Sequence, residues 1–187
     1  MHYTNQKQFS HLRYNHNMAN GGPPEGRNTV ATSGCGLCSL CNVVNLLTVK
    51  HLFVEDCVRL SEENGANLGR GTNMRILAPI IADMYNIDYK GTTELNEVIT
   101  HLQNGGQAIA HMGNGVFCER GHFINLISYA DGEFCVLDPG YSPEKFQRDD
   151  RKDKVHINEP FVYCNAELLH SETRERPIKY YLFKRKR

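Results

Sequence analysis

Three residues of this chain have the types and settings that nucleophilic attack on a carbonyl requires. Cys35 sits between two glycines in Thr32-Ser33-Gly34-Cys35-Gly36. His122 follows Gly121 and opens the apolar run Phe123-Ile124-Asn125-Leu126-Ile127, and Asp138 closes Phe134-Cys135-Val136-Leu137-Asp138-Pro139. A thiol becomes a strong nucleophile when an imidazole takes its proton, and a buried carboxylate can orient that imidazole and stabilise its protonated form. Each residue alone has an ordinary alternative: a core cysteine, a solvated histidine at a strand edge, a turn aspartate before proline. Their joint appearance in this order carries the reading.

The element that must position the thiol begins at the thiol itself. Leu37, Leu40, Cys41, Val44 and Leu47 recur with helical spacing, so the sequence predicts a helix from Gly36 to Thr48 with Cys35 in its first turn. Backbone N–H groups and the positive end of the helix dipole converge there. They can lower a thiol pKa from about 8.5 into the range of roughly 3.5 to 7.5, and can also stabilise a developing oxyanion. Cys35, Cys38 and Cys41 form a C-x-x-C-x-x-C run, which raises metal-cluster and redox-pair readings. A cluster needs a fourth thiolate and an irregular loop, and a redox pair normally follows a strand in a βαβ unit. The helical periodicity instead assigns Cys38 and Cys41 to packing, and the chemistry needs no metal or organic cofactor.

Register decides whether His122 and Asp138 can meet. A two-residue turn at Asp131-Gly132 would set Asp138 opposite Asn125, on the face away from His122. A three-residue loop, Ala130-Asp131-Gly132 with a left-handed glycine, sets Asp138 opposite Ile124 on the His122 face. The two residues would then be diagonal neighbours with Cα atoms ~7 to 8 Å apart. The three-residue loop is the expectation.

The surrounding elements follow the same logic. Residues 1–33 are poor in aliphatics and contain Gly21-Gly22-Pro23-Pro24, so they read as an irregular arm. Helices are expected at Val54 to Glu63, at Met74 to Tyr85 with Pro79 causing a kink or late start, and at Leu95 to Leu102 before Gly105-Gly106. Strands are expected at Gln107 to Met112, Phe123 to Tyr129, Glu133 to Leu137 and Ile178 to Phe183. Helices first and an antiparallel sheet afterwards is an α+β arrangement. Asp149 to Lys154 reads as a solvated loop and Lys184-Arg185-Lys186-Arg187 as a frayed basic tail.

A chain of 187 residues is expected to form a single domain, 1–187, that buries about 70% of its unfolded surface. Lys+Arg and Asp+Glu both number 21, so no net field favours nucleic acid or an anionic membrane as partner. No apolar run approaches the roughly 18 residues of a membrane span and residues 1–30 are polar, so a cytoplasmic address is expected. The 7 cysteines are odd in number and crowd toward one segment, unlike a disulfide framework.

Thr29-Val30-Ala31-Thr32-Ser33-Gly34-Cys35-Gly36, the apolar helix after it, Gly71-Thr72, the helix ending in Gly105-Gly106, Gly121-His122-Phe123 and Val136-Leu137-Asp138-Pro139 together resemble the papain-like cysteine peptidases related to the bacteriocin leader-processing, double-glycine (C39) peptidases. The resemblance runs from about residue 12 to 140. It implies a papain-like α+β fold, N-terminal helices packed on a twisted antiparallel sheet, with Cys35 as nucleophile, His122 as base and Asp138 orienting the imidazole. The chain departs from the pattern after Cys35-Gly36, where Leu37 and Cys38 replace a proline and a small residue. It also lacks the upstream glutamine that helps form the oxyanion hole: the comparable stretch is Tyr14-Asn15-His16-Asn17, in which His16 or Asn15 would have to substitute. Loss of one such donor typically costs about 10² to 10³ in rate. The function implied is a thiol hydrolase, a cysteine peptidase acting on a peptide or protein through a thioester. The alternatives are a thioester-forming acyltransferase or transglutaminase-like enzyme, and a catalytically silent peptide-binding module.

Overall fold

A helix whose sides are nearly all apolar has to be surrounded. In the computed structural model, which describes residues 3–14, 26, 28–69 and 71–186, that helix is α2 (Cys35–Leu47), buried without interruption from Gly36 to Val44. It follows the single turn α1 (Val30–Ser33) and is packed by α3 (Val54–Glu63) and α4 (Met74–Met84), the latter running through Pro79. Leu37, Leu40, Val43 and Val44 of α2, Cys57 of α3 and Leu77 and Ile81 of α4 are all buried. Each such aliphatic side chain contributes about 1.5–3 kcal/mol over leaving it in water.

The described part of the N-terminal arm is more ordered than its composition implies. A 3₁₀ turn at Gln6–Gln8 is followed by Tyr14, whose N–H donates to the Asn28 carbonyl (2.9 Å) and whose hydroxyl meets Ser61 (3.0 Å) and Thr72 (2.7 Å) in the interior. Thr4 N–H donates to Asn42 Oδ1 on α2 (2.9 Å). Polar side chains placed where the arm needs partners, not hydrophobic periodicity, order it. The chain falls into two compact units, Met1–Asp88 with Arg185–Arg187, and Tyr89–Lys184.

The second unit is organised on a seven-stranded sheet in the order β1-β7-β2-β3-β4-β6-β5. Its strands are β1 (Ile87–Thr92), β2 (Gln107–Met112), β3 (His122–Ala130), β4 (Glu133–Leu137), β5 (Val155–Asn158), β6 (Phe161–Asn165) and β7 (Tyr180–Arg185). Pairings from β7 across to β5 are antiparallel. Helices α5 (Leu95–Gln103), α6 (Pro143–Gln147) and α7 (Ala166–Ser171) complete it. The α+β class expected from the sequence is the one observed. Among the described residues no helix is long and apolar enough to cross a membrane.

Three local expectations are corrected. Lys184 and Arg185, expected in a frayed tail, complete β7. The charge run is exposed except for Arg151, which is 4% exposed and donates from Nη1 to the Lys145 carbonyl (3.4 Å). The β3–β4 connection is a two-residue turn, Ala130 facing Glu133, with φ of 51° at Asp131 and 85° at Gly132. Both residues thus take the left-handed conformation of a type I′ hairpin. The expected three-residue loop is absent, but a β-bulge between Leu126 and Ser128 shifts the ladder by one residue, so that Leu126 faces Val136 and Asn125 faces Leu137. Continued one step, this register sets Asp138 opposite Ile124 on the His122 face. The face was anticipated correctly, through a different device.

Candidate functional site

In the first unit, the junction between α1 and α2 presents the thiol. Gly34 closes α1, its N–H donating to the Val30 carbonyl (2.7 Å), and serves as N-cap of α2, its own carbonyl accepting from Cys38 (3.0 Å). A Cβ at Gly34 would lie 2.5 Å from Val30 Cγ1 and 2.7 Å from the Val30 carbonyl oxygen, so only glycine fits this junction. Cys35 is therefore the first residue of a 13-residue helix, in the turn where N–H groups and the dipole's positive end are concentrated.

Exposure separates Cys35 from most other cysteines. Cys35 and Cys118 are partly exposed, whereas Cys38, Cys41, Cys57, Cys135 and Cys164 are buried, and none of the seven is in a disulfide. Burial above all pushes the Cys38 and Cys41 thiols well up, raises Cys135, and drives Cys164 to about 12. These thiols stay protonated at neutral pH. Cys38 and Cys41 pack within α2, as the helical spacing implied.

In the second unit, the hairpin brings the predicted imidazole and carboxylate together. His122 Nε2 lies 2.6 Å from Asp138 Oδ1, with the two side chains 9% and 0% exposed. Asp138 Oδ1 also accepts the Gly140 N–H (2.7 Å), and Oδ2 accepts from Lys145 Nζ (2.5 Å). Burial opposes ionisation of Asp138, but the Lys145 ammonium first, then His122 and the hydrogen bonds from both, hold its carboxyl well below the usual range. An ionised carboxylate only accepts, so Nε2 carries the ring proton and Nδ1 the basic lone pair. Gly140 backs the ring: a Cβ there would stand 3.1 Å from His122 Cε1.

No protein-family model matches this chain, and no curated protein matches it in sequence. Solved structures do. The peptidase domain of Streptococcus ComA, a bi-functional ABC transporter involved in a quorum sensing pathway, superposes with a TM-score of 0.57 at 12% identity, over 88% of this chain and 97% of that one. A C39-like peptidase from Bacillus anthracis gives a TM-score of 0.54 at 13% identity, over 82% and 89% of the two chains. The fold is the C39 peptidase fold. The papain-like α+β architecture implied by the sequence resemblance is thereby established, at identities that speak for the fold alone.

Within the C39-like fold, two groups of residues stand apart from the sequence expectations. Asn15 and His16, expected to supply a side-chain oxyanion donor, lie outside the described residues. Gln6, an amide passed over in the sequence, is 9% exposed and donates from Nε2 to the Ala31 carbonyl (2.8 Å), one helical turn before Cys35. Lys145 and Gly140 were also missed. Ser142 and Pro143 at the N-cap and first turn of α6 are the signal that could have placed a short helix, and hence Lys145, after the carboxylate.

Proposed function

We propose that the protein is a thiol hydrolase of peptidase type, with Cys35 as nucleophile, His122 as acid–base and Asp138 as the group that fixes the imidazole. Cys35 Sγ passes its proton to His122 Nδ1 and attacks a peptide carbonyl. As the tetrahedral species collapses, the C–N bond breaks, the imidazolium protonates the leaving amine and a thioester remains. His122 then takes a proton from water, the hydroxide displaces sulfur, and the proton returns to the thiol. The Cys35 N–H supplies one oxyanion donor, and Gln6, Asn15 or His16 the second.

The observation that carries this reading is the buried bond between His122 Nε2 and Asp138 Oδ1, 2.6 Å long, because it leaves the opposite ring nitrogen as the base. A carboxylate with no exposed surface tied to an imidazole is costly to build for packing alone. The helix-N-terminal setting of Cys35 and the C39 fold, whose solved examples include peptidase domains, support it independently.

Limited alkylation with iodoacetamide, read by mass spectrometry, tests the proposal without a known substrate. Cys35 is expected to react fastest of the seven thiols, and His122→Ala to slow it to the rate of the partly exposed Cys118. Equal rates at Cys35 and Cys118 in the native chain would refute an activated nucleophile. Replacing Gln6, Asn15 and His16 singly by alanine, against a peptide the native chain cleaves, identifies the second donor by a fall of about 10² in kcat.

A further inference from the structure

The carboxylate beside His122 has a second partner, a lysine ammonium, which an orienting role alone does not require. We infer that Lys145 is a positioning residue of the His122–Asp138 pair: its ammonium fixes the rotation of the carboxylate and offsets part of its charge, so that His122 releases its proton more readily than an imidazole beside a lone carboxylate. The inference rests on the proposed role of His122 for its purpose, but not for its geometry.

Two oxygens of a carboxylate are interchangeable by rotation about a soft, two-fold torsion. Here they are distinguished. Oδ1 takes His122 Nε2 at 2.6 Å and the Gly140 N–H at 2.7 Å, while Oδ2 takes Lys145 Nζ at 2.5 Å. Lys145 is itself held. Its side chain is 15% exposed, its ammonium stands 5.3 Å from the centroid of the buried Phe146 ring, and its carbonyl accepts from Arg151. Phe146 in turn packs against Phe117 and Tyr141, with ring centroids 5.8 Å away in each case. A lysine so enclosed is not a surface ion pair whose charge is lost to solvent.

The charged or titratable side chains shown acting on Asp138 are His122 from β3 and Lys145 from α6. On β2, His111 is the further titratable group shown within electrostatic reach of His122. A carboxylate alone would favour the imidazolium strongly, whereas a cation on its far oxygen opposes that charge at short range. An imidazole poised nearer neutrality donates to the leaving amine and then recovers as base for water at the same pH.

The test is the His122 pKa, followed by NMR through the imidazole nitrogens, in the native chain and in Lys145→Met, Lys145→Gln and Lys145→Arg. Removing the charge in the Met and Gln variants is expected to raise the His122 pKa by about one pH unit, and Arg to keep it within about 0.3 of native. Gln retains a donor to Oδ2, so it reads the charge even where Met destabilises the fold. An unchanged or lowered His122 pKa in a folded Gln variant overturns the inference. The pH profile of Cys35 alkylation, recorded on the same variants, keeps the two ideas apart. A profile that moves with His122 supports both, whereas a His122 shift with an unmoved profile supports the role of Lys145 and refutes the pairing of His122 with Cys35.

Discussion

The Cys35 and His122 regions hold a polar side chain in place by opposite means. Around Cys35 the work is done by backbone: a glycine that alone fits between α1 and α2, and a helix that begins on the thiol. Around His122 it is done by charge, with a fully buried carboxylate gripped by an imidazole, an ammonium and a backbone N–H. Backbone devices fail gradually when they are strained, while a buried charge that loses a partner fails abruptly.

The largest effect is therefore expected at Asp138. Asp138→Ala leaves the Lys145 ammonium enclosed without its counter-ion, and should lower the unfolding free energy by about 3–5 kcal/mol in urea titration. A loss below about 1 kcal/mol would mean that the His122 region is no more brittle than the thiol region. The acid side of the same contrast has a definite sign. The Asp138 carboxyl is depressed in the folded chain, so its contribution is fully present above the ordinary aspartate value of about 3.9 and disappears as pH falls below it. The stability gap between native and Asp138→Asn chains should narrow only below about pH 4.

Next comes Gly34→Ala. The new Cβ meets the Val30 backbone and side chain, so about 1–3 kcal/mol should be lost, with slower alkylation of Cys35 as its turn shifts. A fully stable Gly34→Ala chain would remove the claim that this junction depends on a missing side chain.

A comparable effect, confined to acid pH, is expected at His111, stacked on Phe123 with ring centroids 4.3 Å apart. Burial first, then Arg174, Arg176 and His122, lower its pKa to about 4. Between about pH 6.5 and 4 the unfolded chain binds a proton at His111 that the folded chain does not, so stability rises with pH there. His111→Phe should flatten that slope by about 2 kcal/mol in unfolding measured at pH 4.5 and 7. The smallest effect is at Arg59, whose links to Asp56 and Glu63 on α3 are exposed. Arg59→Ala should leave the unfolding midpoint unchanged, as befits charges in water.

The same contrast governs what could be read from sequence. The thiol region is local: five apolar residues at helical spacing and the glycines flanking Cys35 suffice to place it at the start of α2. The His122 region depends on register, where one residue inverts the answer, and no residue type around Ile127 announces a bulge. The face of Asp138 was foreseen, but the turn was not. β1, β5 and β6 went unassigned although Ile87-Asp88-Tyr89-Lys90 and Val155-His156-Ile157-Asn158 alternate apolar and polar residues and Phe161-Val162-Tyr163-Cys164 is a short apolar run, because each strand is only four to six residues long and periodicity over so few positions is weak. Lys145 was invisible for another reason: within Pro143–Gln147 nothing distinguishes a lysine that will be enclosed from one that will be solvated.

The extra residue in β3 also says what an equivalent chain of different length would look like. A straight ribbon with the same two-residue turn, and one residue fewer between imidazole and carboxylate, would place both on a shared face with no kink at all. Removing Ile127 should thus preserve the His122–Asp138 contact, whereas removing a residue between Leu126 and the turn while the kink persists would not. The number of residues separating imidazole from carboxylate is therefore a poor yardstick for kinship among such hairpins, and the parity of that number together with the count of bulges is the quantity that must be kept.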